Sequence, residues 1–211
     1  MATVLGLGGS ARVPQLAAEI VAHTVGPCEV EAGLEPEGVP PLAGCSAEST
    51  TSTEAELLRS PDGSIRVALL RAEAVAGAAR DAQRCVADAL ASADCSSAIA
   101  LACTEPARMP CGAPLALLAP DKEELALEGF AAQVGALDVS HPPPGAGDPL
   151  PPFHALHLLR QRHIRCAALI TSCGGGDATE PALNLARAAL CALGIHSEPS
   201  IPPAWAAAGT S

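Results

Sequence analysis

The chain has 211 residues, a net charge of −11 from 23 acids against 12 bases, and an apolar content of 49%. That length suffices for one domain burying roughly 70% of its unfolded surface, and that apolar content argues against disorder. No Lys/Arg cluster is present to meet phosphates, and two Phe, one Trp and no Tyr leave few rings for base stacking; nucleic acid is excluded as the main partner, and anionic membranes are disfavoured by the same charge.

Ala, Leu, Val and Ile must therefore fill the core, which favours helices packed closely on a sheet. No apolar run reaches the about 18 residues needed to span a bilayer. The start, Met1 to Gly6, lacks the positive charge of a signal peptide. Nine cysteines, an odd number, are scattered along the chain, and Cys103, Cys166 and Cys191 sit inside apolar runs. A reducing compartment in which Cys acts as a small buried hydrophobe is the simpler account.

In chain order, Val4 to Gly9 predicts a first strand ending in a glycine turn. Val13, Leu16, Ala17, Ile20, Val21 and Val25 follow at helical spacing, stopped by Gly26-Pro27. Cys28 to Ala32 predicts a short strand, and residues 33–51 a long loop rich in Gly, Pro, Ser and Thr. Glu54 to Leu58 and Ser64 to Arg71 predict two strands joined by Ser60-Pro61-Asp62-Gly63. Next comes an amphipathic helix with Val75, Ala78, Ala79, Ala82, Val86, Ala89 and Leu90 on one face and Arg80, Asp81, Arg84 and Asp88 on the other. Ala98 to Cys103 reads as a buried strand and Leu115 to Leu118 as another short one.

Residues 119–129 are acidic and 141–152 form a proline-rich loop. Phe153 to Arg162 suits a helix, Cys166 to Thr171 a central strand, and Pro181 to Leu193 a final helix. Strands alternating with helices predict an α/β fold, a three-layer sandwich around a mostly parallel sheet with an antiparallel hairpin. Residues 1–197 are expected to form one domain and 198–211 a C-terminal tail.

Four constellations could carry chemistry. Gly6-Leu7-Gly8-Gly9-Ser10-Ala11 fits a dinucleotide-binding turn, with Glu29 or Glu31 about where a ribose-binding acid belongs; the plainer reading is a tight strand-to-helix turn. Cys173 precedes three glycines, but Thr171 replaces the upstream glycine of a nucleophile elbow and no nearby base lowers its thiol pKa. Asp177 and Thr179 read instead as a helix cap. His154 and His157 would share a helix face, with His163 further on, but zinc needs more ligands than this and no CxxC occurs. Asp121, Glu123, Glu124 and Glu128 read as a solvated acidic face. No catalytic, cofactor-binding or metal-binding residue is assigned.

Several blocks, in order, resemble the proteasome assembly chaperone 2 family. Val13-Pro14-Gln15-Leu16-Ala17-Ala18-Glu19-Ile20 is similar to its first helix, with Pro14 in place of a glycine. Thr53 to Leu57 with Arg66 to Arg71 resembles its hairpin. Gly112 to Pro120, Gly175 to Leu183 and the terminal Ile201-Pro202-Pro203-Ala204-Trp205 resemble three further segments. The resemblance implies a three-layer α/β domain, no cofactor and no catalytic residue. It implies a heterodimer with proteasome assembly chaperone 1 that promotes assembly of the proteasome α-ring and prevents wrong ring pairing, in the cytoplasm and nucleus. A subunit of that kind is expected to leave an apolar patch exposed when alone. Trp205 is expected to fold back on the domain. A nucleotide-binding oxidoreductase using Gly6, Gly8 and Glu31 is the competing reading, and an α/β scaffold without a proteasome role a third.

Overall fold

A computed structural model describes residues 2–7, 12–34, 55–70, 79–109, 112–121, 123, 125–127, 129–139, 151–174 and 176–203. The glycines and Ser10-Ala11 beyond Leu7, the loop after Leu34, Val75 and Ala78 of the expected helix, the proline-rich loop up to residue 150 and Trp205 lie outside them. The strands are β1 (Ala2–Gly6), β2 (Glu29–Leu34), β3 (Ala55–Arg59), β4 (Ile65–Leu70), β5 (Ser97–Thr104), β6 (Leu115–Leu118), β7 (Leu137–Asp138) and β8 (Arg165–Ser172). The helices are α1 (Val13–Thr24), α2 (Ala79–Ser92), α3 (Phe130–Val134), α4 (Pro151–Gln161) and α5 (Thr179–Ala192).

The strands form one sheet in the order β2-β3-β4-β1-β5-β8-β6-β7. β4, β1, β5 and β8 run parallel, while β2–β3, β3–β4 and β6–β8 pair antiparallel. The expected hairpin is β3–β4, and its turn forms as expected: the Gly63 amide donates to the Ser60 carbonyl at 2.9 Å, and Gly63 takes a φ of +70°, which suits a residue without Cβ. α3 and β7 are elements that periodicity did not predict; both are too short to show a period.

The layers follow from side-chain alternation. On one face Val4, Val67, Ile99, Leu101 and Leu169 pack beneath α1, α3 and α5. On the other, Ala98, Ala100, Ala102, Cys166 and Ala168, each 1% exposed or less, form a smooth strip beneath α2 and α4. These small residues let Leu90 and Leu159 come close enough to be wholly buried. The expected three-layer α/β sandwich is thus the observed architecture.

α1 lies unusually near the sheet. A Cβ on Gly6 would stand 2.8 Å from the Pro14 carbonyl oxygen and 3.0 Å from the Ala18 Cβ. Gly6 is therefore a packing glycine at the strand-to-helix turn. Gly6→Ala is expected to destabilise the fold by about 1–3 kcal/mol, as overpacking does, read as a lowered denaturation midpoint in urea.

The edge is held electrostatically. The β2–β3 register shifts between Val30 and Ala32, leaving Glu31 as the extra residue of a bulge. Its carboxylate reaches across β3 to accept two bonds from the Arg66 guanidinium on β4, at 2.6 and 2.7 Å. The Arg66 side chain is 8% exposed. Glu31→Gln is expected to cost about 1–3 kcal/mol, the penalty of leaving a buried charge short of its partner, again measured by urea denaturation.

Asp62 braces the β3–β4 turn. It accepts the Ser60 hydroxyl at 2.6 Å, the Ser64 amide at 3.1 Å and the Ser64 hydroxyl at 2.7 Å. These bonds, led by that from Ser60, pull its carboxyl down to about 2. The unfolded chain thus binds this proton at a higher pH than the folded one, so the turn's contribution is present above about pH 4 and is lost as pH falls through about 2. Melting temperatures of the native chain and Asp62→Asn should differ at pH 6 and converge from pH 4 downward.

Candidate functional site

The crossovers reverse direction between β1 and β5, because β1 leads through α1 toward β4 while β5 leads on toward β8. In open α/β sheets this is where ligands usually bind. The glycine turn opens there: the Leu7 amide donates to the Leu101 carbonyl at 3.0 Å, and Gly8 lies outside the described residues. Arg12 caps α1 in the left-handed conformation without a side-chain cap.

The acids that a nucleotide reading requires are elsewhere. Glu29 and Glu31 lie on β2, with β3 and β4 between them and β1. The bond from Arg66 holds the Glu31 carboxyl below its ordinary value. The structure therefore separates Gly6 from Glu29 and Glu31, and Gly6 is explained by the approach of α1.

His157 bonds to Gln161 at 2.9 Å. His154 is half-buried, and burial, followed by the charges of Arg80 and His157, pushes it below the usual imidazole value. No group of three or more metal-ligating side chains occurs among the described residues. Asp121 is a correction to the solvated acidic face: its side chain is 12% exposed, and it accepts the Cys166 amide at 3.0 Å and faces Arg160 at 3.4 Å. It anchors the start of β8. Burial, then Asp121, pushes the Cys166 thiol up to about 12. The expected cap at Asp177 and Thr179 is corrected: Ala178 holds the cap position without a side-chain bond, and Asp177, one residue earlier, accepts the Thr179 amide on its Oδ1 at 2.9 Å.

Two arrangements were not anticipated. The first is a cleft of about 520 Å³ between α3, α5 and the C-terminal end of β8, lined among others by Gln133, Thr171, Glu180, Asn184, Arg187 and Cys191. Thr171, Asn184 and Arg187 among its polar groups are engaged with the protein. Thr171 donates to the Pro114 carbonyl at 3.1 Å. Arg187 donates to Asn184 at 3.0 Å and faces Glu198 at 3.6 Å. The cleft requires α3, which no sequence signal announced. The second places Cys103, near the end of β5, and Cys173, just past the end of β8, on one face of the sheet. Cys103 closes the apolar run that predicted β5, and Cys173 follows two residues after the run that predicted β8; aligning those runs as parallel neighbours is the signal that finds them.

The surface is the other candidate. Among the described residues the large apolar side chains that stand exposed are Val30, at 59%, and Ile201, at 41%. Val30 is carried by β2 and Ile201 by the segment after α5. Near Ile201, the Ser200 amide donates to the Thr24 hydroxyl at 2.9 Å, so the chain after α5 returns to α1.

No protein-family model and no curated protein matches the chain in sequence. Solved structures do match in fold. Pyrococcus furiosus PbaA, an archaeal homolog of proteasome-assembly chaperone, superposes with a TM-score of 0.72 at 13% identity, over 98% of this chain and 86% of its own. Pyrococcus furiosus PbaB, an archaeal proteasome activator, gives 0.67 at 16% identity, over 93% and 84%. A Mycobacterium tuberculosis proteasome-assembly chaperone homologue gives 0.60 at 14% identity, over 99% and 92%. The fold of this chain is the one these proteins share.

Proposed function

We propose that this chain is a proteasome assembly chaperone of the chaperone 2 family, a protein that acts by binding other proteins and carries no catalytic centre. The observation that carries this reading is the extent of the match: proteins described as assembly-chaperone homologues or as a proteasome activator superpose on at least 93% of the chain. The ordered blocks of resemblance support it, since their described parts fall on α1, the β3–β4 hairpin, β6 and α5. The separation of Gly6 from Glu29 and Glu31 removes the main support for an oxidoreductase.

In this reading the chain pairs with proteasome assembly chaperone 1. The heterodimer binds proteasome α-subunits, promotes α-ring assembly, prevents off-pathway ring association, and works in the cytoplasm and nucleus. Aromatic residues usually anchor protein interfaces, and with two Phe, one Trp and no Tyr this one rests on shape and aliphatic contact.

Co-expression with proteasome assembly chaperone 1 should give a complex that survives size exclusion and retains α-subunits on an affinity resin. Calorimetry with NAD, NADP, FAD and ATP should show no binding tighter than about 10 μM, roughly 7 kcal/mol. A chain that ignores the chaperone and the α-subunits yet binds a nucleotide below that limit overturns the proposal.

A further inference from the structure

The parallel register of β5 and β8 pairs Cys103 with Thr171 and Thr104 with Ser172. Cys173, the next residue, donates its amide to the Thr104 carbonyl at 3.1 Å, so the two chains stay together one step past the strand end. Alternation then puts the side chains of Cys103 and Cys173 on the same face, both packed against the α1/α5 cluster. Both are free and half-buried, so small molecules can reach them. The Cys103 thiol points to the Thr104 carbonyl at 3.8 Å, the same carbonyl that accepts the Cys173 amide.

We propose that Cys103 and Cys173 form a reversible disulfide by exchange with a small-molecule disulfide of the glutathione type. Cys173 attacks first. It lies beyond the end of β8, whereas burial, followed by the neighbouring Cys173 sulfur, pushes the Cys103 thiol up to about 11. The Cys173 thiolate forms a bond to one sulfur of oxidised glutathione, the S–S bond breaks, and a glutathione thiolate leaves and takes up a proton. Cys103 then gives its proton to solvent as its sulfur attacks that of Cys173, and the second glutathione thiolate leaves and is protonated in turn. The protein pair loses two electrons and two protons, and the oxidised glutathione is reduced to two thiols.

The Cα of Cys173 lies two positions past the partner of Cys103 along the strand direction, so closing the bond draws Cys173 back toward β5. A disulfide needs its Cα atoms within roughly 7 Å. The adjustment falls on Cys173, whose amide bond to the Thr104 carbonyl must lengthen or swing with it, and on the exposed Gly174. Oxidation therefore fastens the segment leading into α5 to the end of β5.

The full chain, shown folded by far-UV circular dichroism, is incubated with oxidised glutathione, alkylated, and digested for mass mapping. The expected result is loss of Cys103 and Cys173 from the alkylatable pool and a peptide linking them, reversed by dithiothreitol. In Cys103→Ser, Cys173 should remain as the mixed disulfide. The proposal fails if both thiols of the native chain alkylate as fully as before treatment, if Cys173 stays glutathionylated while Cys103 is present, or if the linked peptide appears only once the chain has unfolded.

Discussion

The pairing of β5 with β8 is the constraint on which the rest of the sheet hangs. It runs in register for eight residues, from Ser97–Arg165 to Thr104–Ser172, and both strands are buried through their centres. β1 attaches to one side of this pair and β6 to the other. Parallel strands need crossovers, and crossovers need helices to cover both faces. α4 and α5 lie on opposite sides of this pair, one in each of the two hydrophobic clusters. Asp121 secures the first turns of this arrangement by taking the amide at the start of β8.

Near absence of aromatic residues shapes the interior. Where a larger ring would hold helix and sheet apart, alanines on β5 and β8 allow aliphatic side chains of α2 and α4 to meet the backbone closely. Gly6 does the same beneath α1. Dispersion grows with the number of close atom pairs, so a core of small residues can be dense, but it has little room to absorb an added methyl group. The same composition limits what the outer surface can offer a partner, leaving Val30 and Ile201 as exposed large apolar groups among the described residues.

Much of this was legible in the sequence. Apolar runs bounded by turn residues located β1, β5 and β8, and helical spacing located α1, α2, α4 and α5, because each is long enough to display its period. The Pro-Asp-Gly turn announced the β3–β4 hairpin. α3 and β7 escaped because five and two residues carry no period. Asp121 looked solvated because its partner, the Cys166 amide, is 45 residues away. A ligand site at the glycine turn stayed open as the competing reading because local spacing cannot reveal that β3 and β4 would lie between β1 and the acids on β2. Strand order is a long-range property, and it decided that question.

The strand order also grades the sheet from its middle outward. β1, β5 and β8 each have neighbours on both sides, so their amides can exchange with solvent hydrogen only when the domain opens as a whole. β2 is joined to one neighbour and β7 to β6 by two residue pairs. These rims open at far lower free energy than the centre. The Glu31–Arg66 bond is what delays that fraying on the β2 side, because it reaches past β3 to a strand of the slowly exchanging interior. The β7 rim, joined by those two pairs alone in its ladder, is the shorter of the two, and it is there that labile amides should be concentrated.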